Sequence, residues 1–221
     1  MDANTRMVTT REAWRALACF VVSPWRYARD GHIGLRATAD GFGTPLFAGT
    51  GVVVRGNRLD VEPGRSTTIT TLRAAAEFVG VELSEHPPVG HDLPAFEPDR
   101  HLEIDLRSVS FIADWWALGD AALSTVSEPH LWPEHFDIAI SVHLPDDVGV
   151  NVGFSPGDRH SDDPYVYVGP HDAASLDRAD PYWNAPFGAV LARDEVVAAP
   201  DPHEAALAFI RTGLERLRRH P

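Results

Sequence analysis

The sequence predicts an α+β fold, mostly antiparallel sheet with helices packed on one face. Three observations carry this. Strand-like runs come in hairpin-length groups rather than alternating singly with helices, which argues against a doubly wound parallel sheet. Helical periodicity is concentrated at the ends of two stretches, so the chain reads helix, strands, helix twice over its 221 residues. A content of 44% hydrophobic and 23% charged residues is that of a globular chain. That length fits a single domain over residues 10–221, with lobes at 10–83 and 101–221.

Residues 1–9 read as a flexible tail. Thr9 or Thr10 is the expected cap of a helix running to Val22, with Trp14, Leu17 and Val21 along one side. Pro24 is expected to stop it, because proline disfavours helix at Ser23. From His32 the pattern changes to strands: "HIGLRATAD" alternates, "DGFGTP" turns, and "GVVVRG" pairs with "RLDVE" across Gly56-Asn57. "STTIT" follows Pro63-Gly64, and Thr70 or Thr71 opens a helix, "LRAAAEFV", that Gly80 ends. Residues 84–100, with four prolines and no apolar period, read as an extended connector.

The second half begins with "SVSFIADWWALGDAALSTV", where Ile112, Trp115, Trp116, Leu123 and Val126 have helical spacing. Strands are expected at "FDIAISVHL", "VGVNVGF", "PYVYVG" and, more weakly marked, "GAVLA". The last helix carries the clearest start: Asp201 as cap, Pro202 at the first position and Glu204 at the third. Leu207, Ile210, Leu214 and Leu217 form its apolar stripe, and Arg216, Arg218 and Arg219 suit the negative end of its dipole. The halves share a plan without a residue-level repeat, which leaves a duplicated architecture open.

Composition removes several chemistries. All 19 basic residues are arginine, so there is no internal Schiff base for pyridoxal or aldol chemistry, no P-loop lysine and no kinase-type strand lysine. A net charge of −13 repels phosphate backbones, and nucleic acid is not an expected partner. Cys19 is the only cysteine, which excludes an intrachain disulfide, a Cys-rich zinc site and a redox pair. The apolar run around it is too short to span a membrane and lacks a signal-type basic head, so the cytoplasm is the expected compartment.

"GFSPG" matches the G-x-S-x-G nucleophile elbow at Ser155, yet that elbow needs a following helix and the next residue's N–H for its oxyanion hole. Pro156 has no N–H. Ser-Pro-Gly-Asp suits a type II turn instead. "GFGT" at 41–44 is too short for a phosphate loop, and a hairpin or bulged turn accounts for it.

The richest region runs from 130 to 188. If "EHFDIAI" enters a strand, His135 and Asp137 point to one face, and Asn151 on a neighbouring strand could share it. Ringed by Trp132, Tyr165, Tyr167 and Trp183, these residues have the composition of a pocket for a small ligand, which is the expected function. The plain alternative is that Asp137 satisfies a loop amide and the aromatics are core. Two other functions compete: an interaction or regulatory module presenting an acidic surface to a protein partner, and a metal-dependent enzyme using His135, Asp137 and His160 or His130. H-x₄-H-x-D matches no metal signature, so no metal is assigned and no cofactor is named. His86, His91, His160, His171 and His220 fall in loops, as composition alone would scatter them.

The combination "LWPEHFD", "NVGFSPGD", "PYVYVGP" and "WNAPFGA", with "GFGTPLF" and "TTLRAAAEFVG" upstream, resembles an uncharacterised bacterial protein family of GC-rich genomes, over residues 10–215. The resemblance implies one α+β domain and brings no activity, substrate or catalytic residue. Related sequences often carry an aromatic after "YVGP" where this chain has His171, which puts a family role for that histidine in doubt.

Overall fold

A computed structural model describes residues 2–90 and 92–219; His91 and His220 lie outside them. The fold is α+β, with two five-stranded antiparallel sheets. The chain divides into two compact units, one of residues 1–117 and 130–136, the other of 118–129 and 137–221. The connector at 84–100 is irregular along its described length and lies wholly within the first unit.

In the first unit, α1 (Ala3–Leu17) begins inside the expected tail. Its cap is Asp2, whose carboxylate accepts the Thr5 N–H at 2.8 Å. Asp2 satisfies a first-turn donor well before Thr9 and Thr10, the caps that the apolar spacing favoured. Pro24 does not end the helix either. Ala18–Val22 forms a π-turn, and α2 (Ser23–Asp30) continues to Gly31, which caps it at φ 75°. A proline ring collides with the carbonyl four residues back and donates nothing; the wider turn takes up that misfit.

The first sheet runs in sequence order: β1 (Arg36–Thr38), β2 (Gly41–Gly43), β3 (Gly51–Arg55), β4 (Arg58–Glu62) and β5 (Arg65–Thr68). The β3–β4 hairpin turns at Gly56-Asn57 as expected. "GFG" is a strand, where a turn was expected. A side chain at Gly41 would put its Cβ 1.9 Å from the Val54 carbonyl oxygen, so glycine permits the close pairing with β3. Phe42, Val52, Val54, Leu59 and Val61 share the apolar face. Phe42 meets Trp14 of α1 at 5.6 Å and Phe136 at 5.5 Å, and Trp14 donates its indole N–H to the Gly56 carbonyl. The other face carries charge, with Arg55 between Asp60 and Glu62 at 2.6 and 2.7 Å. α3 (Leu72–Val79) forms where expected, capped by Thr71 and closed by Gly80 at φ 76°.

α4 (Leu106–Leu123) contributes to both units and ends before Val126, which is 48% exposed rather than part of the stripe. The second sheet has the order β10-β9-β8-β7-β6, from β6 (His130–Trp132), β7 (Asp137–Leu144), β8 (Val148–Ser155), β9 (Tyr165–Pro170) and β10 (Ala189–Ala192). Register puts Ile138, Ile140, Val150, Val152, Phe154, Val166 and Val168 on one face. Two helical glycines allow close approach to that face. A Cβ on Gly119 of α4 would lie 2.8 Å from Ile138 and Phe154, and one on Gly213 would lie 3.0 Å from Val168. Gly213 belongs to α6 (Pro202–Arg219), which follows the short α5 (Arg193–Ala198). Asp201 caps α6 by accepting the Glu204 N–H at 3.1 Å, and its stripe of Leu207, Ile210, Leu214 and Leu217 is buried. Helices thus cover one face of this sheet, as the sequence predicts.

Candidate functional site

The face of the second sheet opposite the helices carries Asp137, Ala139, Ser141 and His143 on β7, then Gly149, Asn151, Gly153 and Ser155 on β8. Tyr165, Tyr167 and Gly169 continue it on β9, and His171 follows opposite Gly149. It is buried at the Asp137–Ser155–Tyr165 end and exposed at the Asn151–His143–His171 end.

At the buried end, small residues make room for phenols. Gly153 lies beneath Tyr167, where an added Cβ would be 2.7 Å from the ring. The Tyr167 hydroxyl donates to Asp137, which is only 3% exposed, and the Tyr165 hydroxyl donates to Asp158 at 2.7 Å. Burial pushes both tyrosines above the ordinary phenol range, and their carboxylate neighbours push the same way. They are fixed as neutral donors, not nucleophiles. Ser155 ends β8 and accepts the Gly157 N–H at 3.1 Å, and Gly157 has φ 99°, as the third position of a type II turn requires. No helix follows before β9, so the structure supplies no nucleophile elbow.

The residues expected to converge fall in both compact units. Trp132 and His135 belong to the first unit; Asp137, Asn151, Tyr165 and Trp183 belong to the second. His135 lies in a turn rather than a strand and is exposed. That turn is closed by Phe136, buried, at φ 55°, with its N–H on the Trp132 carbonyl. Burying Phe136 leaves His135 in solvent. Trp132 stacks on His130 at 5.9 Å. Asp137 and Asn151 do share a face, but Asn151 pairs with Ser141, about 13 Å along β7 at 3.3 Å per residue. Trp183 packs on Tyr182 at 4.8 Å and lines a separate cavity of about 190 Å³ with Asp180 and Arg216. His86 and His160 are exposed. Among the described residues, no group of three or more His, Cys, Asp or Glu side chains is placed to hold a metal.

A larger concavity lies in the first unit and was not anticipated. It encloses about 410 Å³ between α1 and residues 94–103. Val8, Ala13, Ala16, Leu72, Ala95 and Leu102 supply apolar lining. Thr9, Glu12, Glu97, Arg100, His101 and Glu103 supply polar groups. Small residues at Thr9, Ala13 and Ala16, spaced four and three apart, stand on one face of α1 and leave the space open. Arg15 fixes the neighbouring chain by donating to the Glu134 carbonyl at 2.8 Å and to the Asp92 carbonyl. Phe96 meets Phe20 at 5.2 Å, and Arg100 pairs with Glu97 at 2.6 Å. The signal in the sequence was the row of small residues on the first helix; the opposing wall, residues 94–103, lies far along the chain. No family model, no curated protein and no solved structure matches the chain.

Proposed function

We propose that the chain binds a small organic molecule, and that the site is the concavity over α1 rather than the cluster around Asp137. The observation that carries this reading is the cavity of about 410 Å³ with apolar residues beneath and hydrogen-bonding groups beside them. Its size falls within the ~300–1,000 Å³ common for small-molecule sites. Arg100, His101 and Thr9 can donate, while Glu12, Glu97 and Glu103 accept. The ligand class this suits has an apolar body and one polar head. The tyrosines at the buried end of the second sheet are committed to Asp137 and Asp158, which supports a structural role there.

The probe is 8-anilinonaphthalene-1-sulfonate, an apolar body with a single charged head, titrated against the native protein and followed by fluorescence. One saturable site is expected. Thr9→Trp, placing bulk in the opening from a half-buried position, should weaken it at least tenfold while near-ultraviolet circular dichroism stays unchanged. Equal binding by wild type and Thr9→Trp would remove the site from the α1 concavity.

A further inference from the structure

We propose that His143 and His171 form a two-imidazole site for a divalent transition ion, copper(II) foremost, at the exposed end of the second sheet. The two histidines lie on the same face with Gly149 between them: His143 pairs with Gly149 across β7 and β8, and the His171 N–H bonds the Gly149 carbonyl from the far side. Side chains two strands apart are ordinarily kept separate by the residue between. Gly149 has no side chain, and the imidazoles lean over it to a centroid separation of 6.3 Å.

The geometry also orders the nitrogens. His171 Nε2 is 3.2 Å from Asn151 Oδ1. In the tautomer in which Nε2 donates to that carbonyl oxygen, Nδ1 keeps its lone pair. Nδ1 is the atom over Gly149, where an added Cβ would lie 2.2 Å from it. A ligating imidazole whose other N–H is held by a carbonyl is the arrangement that fixes ring and tautomer in metal sites. With a nitrogen–metal bond of about 2.0 Å, a ring centroid stands roughly 3.2 Å from the ion, so two rings bracket it at up to about 6.4 Å. The observed separation fits an open bracket, and exposed rings close it further by rotation. Imidazole suits copper, nickel and zinc, and copper(II) binds such donors most tightly. Two protein ligands leave the remaining positions to water, which makes the site exchangeable.

The test adds copper(II) below one equivalent to the full chain and follows imidazole proton signals. Those of His143 and His171 should broaden before the other nine of the eleven histidines. By calorimetry, the first equivalent should bind at least tenfold more weakly in His143→Gln, in His171→Gln and in Gly149→Ala. The last keeps both imidazoles and displaces one. Both histidines are exposed, so the Gln variants should retain the native near-ultraviolet spectrum. Uniform broadening, or a first equivalent insensitive to either Gln variant, overturns the proposal. Unchanged affinity in Gly149→Ala overturns the geometry on which it stands.

Discussion

Replacing Tyr167 with phenylalanine removes one oxygen and leaves the ring, with its contacts to Tyr165 and Phe187 at 6.3 Å each, in place. The lost group is the donor to Asp137. At 3% exposure that carboxylate has almost no access to water that could replace the phenol. A hydrogen bond to a charged group contributes about 1.5–3 kcal/mol. We expect Tyr167→Phe to destabilise the chain by about 2 kcal/mol. At about 2–4 °C per kcal/mol for a chain of this length, the thermal midpoint should fall by about 4–8 °C at pH 7. The assay is a thermal melt followed by far-ultraviolet circular dichroism, with Asp137→Asn and the double variant completing a cycle. A drop below about 1 °C, or a cycle with no coupling between positions 137 and 167, would refute the assignment of Tyr167 as the donor that stabilises this end of the sheet.

Three further expectations rest on burial and close approach. Tyr165, Tyr167 and Tyr182 all have their phenols pushed above the ordinary range, chiefly by burial. Their neutral forms stabilise the fold below the unfolded value of about 10, and that contribution is lost as pH rises beyond it, so the tyrosinate absorbance of these three should appear together with unfolding. Burial also pushes the Cys19 thiol up to about 12, so an aromatic disulfide reagent at pH 8 should react with it only after denaturation. Gly41→Ala should cost about 1–3 kcal/mol or more, because its Cβ meets the Val54 carbonyl, while Gly169→Ala, with no neighbour nearer than 3.6 Å, should change the melt little.

The fold was legible wherever a signal was local. Thr71 and Gly80 bracket α3, Asp201 and Pro202 open α6, and the alternation of β7 through β9 is visible residue by residue. The readings that differ involve competition between signals. Thr9 and Thr10 stand nearer the apolar run than Asp2, yet Asp2 caps. Two glycines in "GFG" suggest a turn when their use is to let a strand approach its neighbour. Pro24 marks an irregularity correctly, but a π-turn absorbs it without ending the helical path. The candidate site was less legible. Residues 130–188 have a pocket's composition, but composition does not decide which side chains meet: Asp137 and Asn151 share a face at opposite ends of it. The α1 concavity has walls from Val8 and from Leu102, a separation that no short pattern reveals.

The π-turn at Ala18–Val22 sets the angular phase of everything on α2. Each helical residue advances about 100°, so one residue inserted or deleted there would rotate α2 by that angle relative to α1. Trp25, 2% exposed, with Phe47 at 6.0 Å and the Arg29 guanidinium 3.3 Å from its ring, would be turned out of its place. Substitutions in "ACFVV" are therefore a matter of volume, whereas a change of length there is a change of direction.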